Sequence, residues 1–184
     1  MSKLLKANFF RLVKDKTFLL LTVIMFAVGA LLPFAHYMDS VHSGVPWALV
    51  FSFFTYAFLA PILLAVLTSL FVGNEYSNGT IRNKIIAGHR RICIYLSNLI
   101  VCIAAGIVLC AAYTVPHVCL GLLLNGRFGS PAKTVILYIG LSAALITAVA
   151  TLFVLIAMLC QNKAHTAAGC ILLAFILLLF GVYI

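Results

Sequence analysis

Five stretches of this chain, 17–38, 40–74, 92–126, 134–162 and 164–184, contain no Lys, Arg, Asp or Glu. Each is as long as the roughly 20 apolar residues that a helix needs to cross a bilayer core. No ordinary soluble domain can be built from them. The 184 residues are 65% hydrophobic and 8% charged, with a mean hydropathy of +1.23, whereas a soluble domain carries about 25% charged residues. Disorder requires low hydrophobicity and is excluded. The net charge of +9 is dispersed between apolar blocks and forms no soluble basic domain, which excludes nucleic acid as the primary partner. No alternation of about ten-residue strands marks a β-barrel, and helices satisfy their own backbone groups in lipid. The expected fold class is all-α: a polytopic helical membrane protein forming a single transmembrane domain over 1–184. Helices are predicted near 18–37, 47–72, 92–115 or on to 124, 134–160 and 164–184.

The cations set the expected orientation. Lys3, Lys6, Arg11, Lys14 and Lys16 precede the first span, Arg82, Lys84, Arg90 and Arg91 lie between the second and third, and Lys163 lies between the fourth and fifth. Only Arg127 and Lys133 fall on the other side. Positive charge stays inside, so the N-terminus is expected in the cytoplasm, with the chain in the cell membrane. The first apolar stretch is too long for a cleaved signal peptide and lacks a clear small-residue site before Asp39. The chain ends within an apolar run, 172–184, which reads as a natural short form or a product lacking a later helix.

Residues 1–16 precede the first two helices, which fall within 17–72. Leu5, Phe9, Leu12 and Val13 recur at helical spacing, with Lys6, Arg11 and Lys14 elsewhere around the turn. Such a basic amphipathic helix lies in the membrane interface, where its cations meet anionic membrane lipids. A simple topogenic anchor and a mechanical role both fit. The polar segment 73–91 separates these elements from helices three to five within 92–184. Ser77 or Asn78 is expected to cap a short helix from Thr80 to Ala87, and Gly88 to stop it. Ile81 and Ile85 would share a face with Ile86 beside them. A helix with an apolar face and a charged rim suits the docking of another protein; a solvated loop that fixes topology is the plainer alternative.

The stretch Glu75-Tyr76-Ser77-Asn78-Gly79-Thr80-Ile81-Arg82-Asn83-Lys84, followed by Gly88, Arg91 and Tyr95-Leu96-Ser97, resembles the loop between helices two and three of ABC-2-type transporter permeases. It looks most like the bacterial antibiotic-resistance and lantibiotic-immunity exporters. The N-terminal helix leading straight into helix one matches as well. The resemblance implies that 75–91 forms a coupling segment for an ABC ATP-binding subunit, contacted through Glu75, Thr80, Ile81, Arg82, Lys84, Ile85 and Ile86. It further implies a second permease subunit, as homo- or heterodimer, with ATP and magnesium on the ATPase and no cofactor in this chain. Family members usually have six spanning helices and this chain offers five. The alternative reading is therefore a truncated or accessory membrane protein that binds a transporter complex without forming a complete path.

The residues agree on energy supply. The sequence has no Gly-x-x-x-x-Gly-Lys-[Ser/Thr] phosphate loop. Its acids, Asp15, Asp39 and Glu75, all fall outside the predicted spans, whereas ion-coupled transporters use intramembrane ionisable groups. Glu75 is expected either to pair with Arg82 or Lys84 and position the short helix, or to contact the ATPase. Cys93, Cys102, Cys110, Cys119, Cys160 and Cys170 lie in apolar segments and read as free thiols. A haem would need facing axial ligands, for which His36 and His117 are the better pair; hydrogen-bonded histidines at helix ends are the alternative. Gly140, Ala144 and Ala148 form a small-residue stripe suited to close helix packing, within the chain or across a dimer. Pro61 and Pro116 are expected to kink or end their helices.

Overall fold

A computed structural model describes residues 2–44, 48–124, 129, 131–160 and 162–183; side chains at 2, 51, 163 and 180–183 are not described. Arg127 lies outside this set. The regular elements are α-helices throughout: α1 (Ser2–Lys14), α2 (Lys16–Ser43), α3 (Val50–Phe53), α4 (Tyr56–Ser77), α5 (Thr80–Ile86), α6 (Arg91–Leu123), α7 (Ala132–Leu159) and α8 (Lys163–Tyr183). Among the described residues α2, α4, α6 and α7 are long and apolar enough to cross a membrane, and α8 contributes a shorter apolar stretch, Ala164–Leu179. The chain is an all-helical, multi-pass membrane protein.

Asp15 alone separates α1 from α2. Its backbone is extended (φ −74°, ψ 116°), and its carboxylate accepts from the Thr17 amide at 2.9 Å, capping α2. A side-chain oxygen there satisfies one of the orphan amides of a helix start. The ends of α1, α2, α4 and α6 nearest this corner carry Arg11, Lys16, Glu75 and Arg91. We refer to this as the basic end.

α4 and α6 form the centre. α2 lies along α6, α8 along α4, and α7 bridges both central helices. On α2, Leu21, Met25, Gly29 and Pro33 are buried, a four-residue repeat that keeps one face on its neighbour. A Cβ at Gly29 would fall 3.0 Å from the Tyr113 Cα, so glycine here lets two backbones meet, as in membrane helix pairs generally. α6 buries Ile94, Val101, Ala105, Leu109 and Tyr113 against α2 and α4.

Two differences from the sequence reading concern helix ends. The expected helix over 47–72 is divided: α3 stops at Phe53, and α4 starts at Tyr56 and continues to Ser77. The break coincides with a packed aromatic group, in which Phe53, Tyr56, Tyr113 and His117 turn toward one another. Tyr113 Oη also takes the Ser52 carbonyl at 2.6 Å. The second is that Pro61 and Pro116 do not end their helices: both sit inside continuous helices, as does Pro33. His117 is fully buried, stacked on Tyr113 at 5.3 Å between ring centroids, with Nε2 3.3 Å from Ser52 Oγ. The six cysteines are free thiols, Cys102 and Cys170 buried.

Candidate functional site

The sequence places Glu75 in a polar loop. The structure places it in the last turn of α4, with its side chain fully buried. A carboxylate taken out of water is tolerated only when it is paired and hydrogen-bonded. Glu75 Oε1 receives Arg11 Nη1 at 2.5 Å and also Lys84 Nζ. Its Oε2 receives Asn98 Nδ2 at 2.9 Å.

The cluster extends from there. Arg11 Nη2 donates to the Phe71 carbonyl at 2.8 Å, and the guanidinium lies 3.8 Å over the Phe71 ring. Asn8 Nδ2 donates to Asn98 Oδ1 at 2.7 Å and to Ser97 Oγ at 3.0 Å. Asn8 Oδ1 accepts from Lys84 Nζ at 3.2 Å. Four helices therefore meet in one polar cluster: α1 through Asn8 and Arg11, α4 through Glu75, α5 through Lys84, and α6 through Ser97 and Asn98. Asn8, Ser97 and Asn98 are each at most 2% exposed.

Sequence reasoning missed Asn8, Arg11, Ser97 and Asn98. A signal for Asn8 exists. Leu4, Asn8 and Leu12 are buried at four-residue spacing, so an amide interrupts the apolar stripe of α1. This stripe also differs from the expected one, since Val13 is exposed at 69%.

α5 is shorter than expected and is entered differently. Neither Ser77 nor Asn78 caps it. Gly79, at φ 65°, is the N-cap and makes no side-chain bond; Asn78 closes α4 instead. A left-handed residue reverses the chain there, a conformation glycine adopts without steric cost. At the other end Gly88 (φ 83°) stops the helix. Its amide bonds Ile85 O at 2.9 Å and that of His89 bonds Lys84 O at 3.1 Å, the paired pattern of a Schellman stop.

Six of the seven expected contact residues divide into two groups, with Thr80 between them. Glu75, Lys84 and Ile81 face the body of the protein, with Ile81 8% exposed. Arg82, Ile85 and Ile86 face outward, Ile85 at 40% and Ile86 at 74% exposure. Thr80 is half-buried and lines a 470 Å³ cavity with Arg11, Lys16 and Asn74. Arg82 takes no part in the Glu75 cluster. Nearby, Tyr76 Oη donates to the Met158 carbonyl at 2.9 Å, satisfying one of the free carbonyls in the last turn of α7.

Gly140, Ala144 and Ala148 do not pack within the chain. All three are exposed, and a Cβ on Gly140 would meet nothing within 4 Å. α7 turns Ile146, Val149, Ala150 and Phe153 inward instead.

The arrangement contains buried ion pairing that joins helices and a short external helix with an apolar tip. Among the described residues no group of three or more His, Cys, Asp or Glu is placed to hold a metal. No curated protein and no solved structure matches the chain. The family model described as ABC-2 family transporter protein matches residues 4–181. That span takes in α1, the α4–α5 turn and the four-helix polar cluster, and the chain belongs to this family, as a membrane permease component that works with an ABC ATPase subunit.

Proposed function

We propose that this chain is the permease of an ATP-driven exporter of the antibiotic-resistance or immunity type, coupled to its ATPase through the outer face of α5. A permease of this family is a transport component and not itself a catalyst; ATP and magnesium would be bound by the partner. Two permease subunits, identical or related, would form the working unit, and the outward stripe Gly140, Ala144 and Ala148 is available to such a contact. The excess of Lys and Arg at the basic end supports a cytoplasmic N-terminus in the cell membrane.

The observation that carries the coupling role is the Glu75 cluster. α5 is a seven-residue helix, too short to hold itself in place. Lys84 ties it to Glu75 on α4 and to Asn8 on α1. Displacing α5 by itself would have to break the Lys84 bonds to Glu75 and Asn8, while Arg11 and Asn98 stay on the buried carboxylate. A pull on α5 is therefore passed to α1, α4 and α6 as one unit. Arg82 and Ile86 would meet the ATPase, and Ile81, Lys84 and Glu75 would transmit the movement.

The test is co-purification of the tagged chain from its native cells in mild detergent. Wild type should bring down an ATP-binding subunit, and the double variant Arg82→Glu/Ile86→Asp should lose it while remaining in the membrane. Retention of the ATPase at the wild-type level would remove α5 as the coupling element.

A further inference from the structure

Beside α5 lies an apolar groove of about 400 Å³. Ile81 and Ile85 of α5 form one wall, Ile92 and Ile94 of α6 the other, and Met158 of α7 the floor. The single charged residue in the lining is Arg91, at the first turn of α6. Tyr76, also in the lining, has its hydroxyl committed to the Met158 carbonyl.

Two observations identify the occupant. The first is charge. Both ion pairs among the described residues end on Glu75, and the other acids are Asp15, which caps α2, and Asp39, at the opposite end of that helix. Arg91 therefore has no carboxylate partner, and Arg90 beside it adds a second exposed cation. The second is continuity. Ile92, Leu96 and Ile100 are exposed at 71%, 37% and 39%, a four-residue repeat that continues the groove wall along the outer face of a spanning helix. A protein segment would have to leave the aqueous side to follow that face; a hydrocarbon chain already lies along it.

We infer that the groove is a binding site for an anionic phospholipid, whose headgroup meets Arg91 while one acyl chain lies between α5 and α6 against Met158. An arginine at a helix end can keep its head in the interface and its stem on apolar surface. Each cation at such a surface favours an anionic lipid by about fivefold. Because Ile81 and Ile85 form a wall of the site, the bound lipid also fixes the seat of α5. That last clause rests on the coupling role proposed above; the lipid preference does not.

The chain has a single tryptophan, Trp47, so a local fluorophore is available. The full chain carrying Tyr95→Trp in a Trp47→Phe background would be reconstituted in phosphatidylcholine vesicles. Quenching would be measured with brominated phosphatidylglycerol and with brominated phosphatidylcholine. Phosphatidylglycerol should show at least about a fivefold preference, Arg91→Lys should keep it, and the double change Arg90→Gln/Arg91→Gln should bring the ratio near one. Equal quenching by the two lipids before any change at Arg91 would reduce the groove to ordinary boundary surface. Negligible quenching by both would mean that protein, either a second copy or a partner, covers it, and would also overturn the site. A lipid preference that persists in a chain unable to hold the ATPase would separate this proposal from the coupling role.

Discussion

The amide of Asn8 on α1 donates to Oδ1 of Asn98 on α6 across 2.7 Å, although 90 residues separate them in the chain. Both side chains are buried, and Asn98 passes its own amide on to Glu75. The N-terminal helix is thereby attached to a long apolar helix by buried polar bonds, where each unmade bond is costly.

Breaking this cluster at its anion should be the most damaging single change to it. Glu75→Gln would leave Arg11 and Lys84 facing one another without their shared charge. We expect a loss of about 3–5 kcal/mol, read as a lower melting temperature in detergent. Lys84→Met combined with Glu75→Gln should be less destabilising than the sum of the two single changes. Additive losses would show that the two side chains are not energetically coupled.

Gly29 and Gly140 should respond oppositely to the same methyl group. Gly29→Ala drives a Cβ into the backbone of Tyr113 and should cost about 1–3 kcal/mol through forced separation of α2 and α6. Gly140→Ala meets open space and should be neutral or slightly stabilising, since alanine is the better helix former. Thermal unfolding of the two variants side by side decides it, and equal losses would contradict the α2–α6 approach.

The two faces of α5 can be separated by charge. Ile86→Asp places a carboxylate on a side chain that is already 74% exposed and should change stability by no more than about 0.5 kcal/mol. Ile81→Asp buries one without a partner and should lower both expression and melting temperature. Should Ile86→Asp prove the more destabilising, α5 would have to be rotated relative to the arrangement described.

Thiol chemistry reports on the bundle interior. Cys102 and Cys170 are buried out of reach of a reagent, and Cys119 is exposed. A membrane-permeant maleimide should modify Cys119 in the folded protein and reach Cys102 and Cys170 only after denaturation, as read by mass spectrometry of peptides. Modification of Cys170 under native conditions would place α8 elsewhere than along α4.

The helical class and the position of the spans were legible because hydropathy over 20 residues is a property of one segment. The short helix at Thr80 and its stop at Gly88 were legible because turn chemistry is local. The Glu75 cluster was legible only in its Lys84 pair. Its members lie on four helices, and a residue such as Asn98 inside an apolar run reads as a minor interruption until its partner is known. Glu75 itself was misplaced because charge was taken to end a span, whereas α4 runs on to Ser77 once two cations neutralise it. The direction of the small-residue stripe was not legible for a related reason: spacing shows that three residues share a face, but where that face points is set by which neighbours α7 packs against.

The one-residue corner at Asp15 has a mechanical consequence. With a single extended residue between α1 and α2, and with that residue held by its own bond to the Thr17 amide, there is no slack to absorb a displacement. A tilt of α1 has to reappear as a swing or roll of α2, much as a crank converts one motion into another. α1 is in turn tied to Glu75 and Asn98, so α2 moves in step with α4 and α6 without sharing a loop with either.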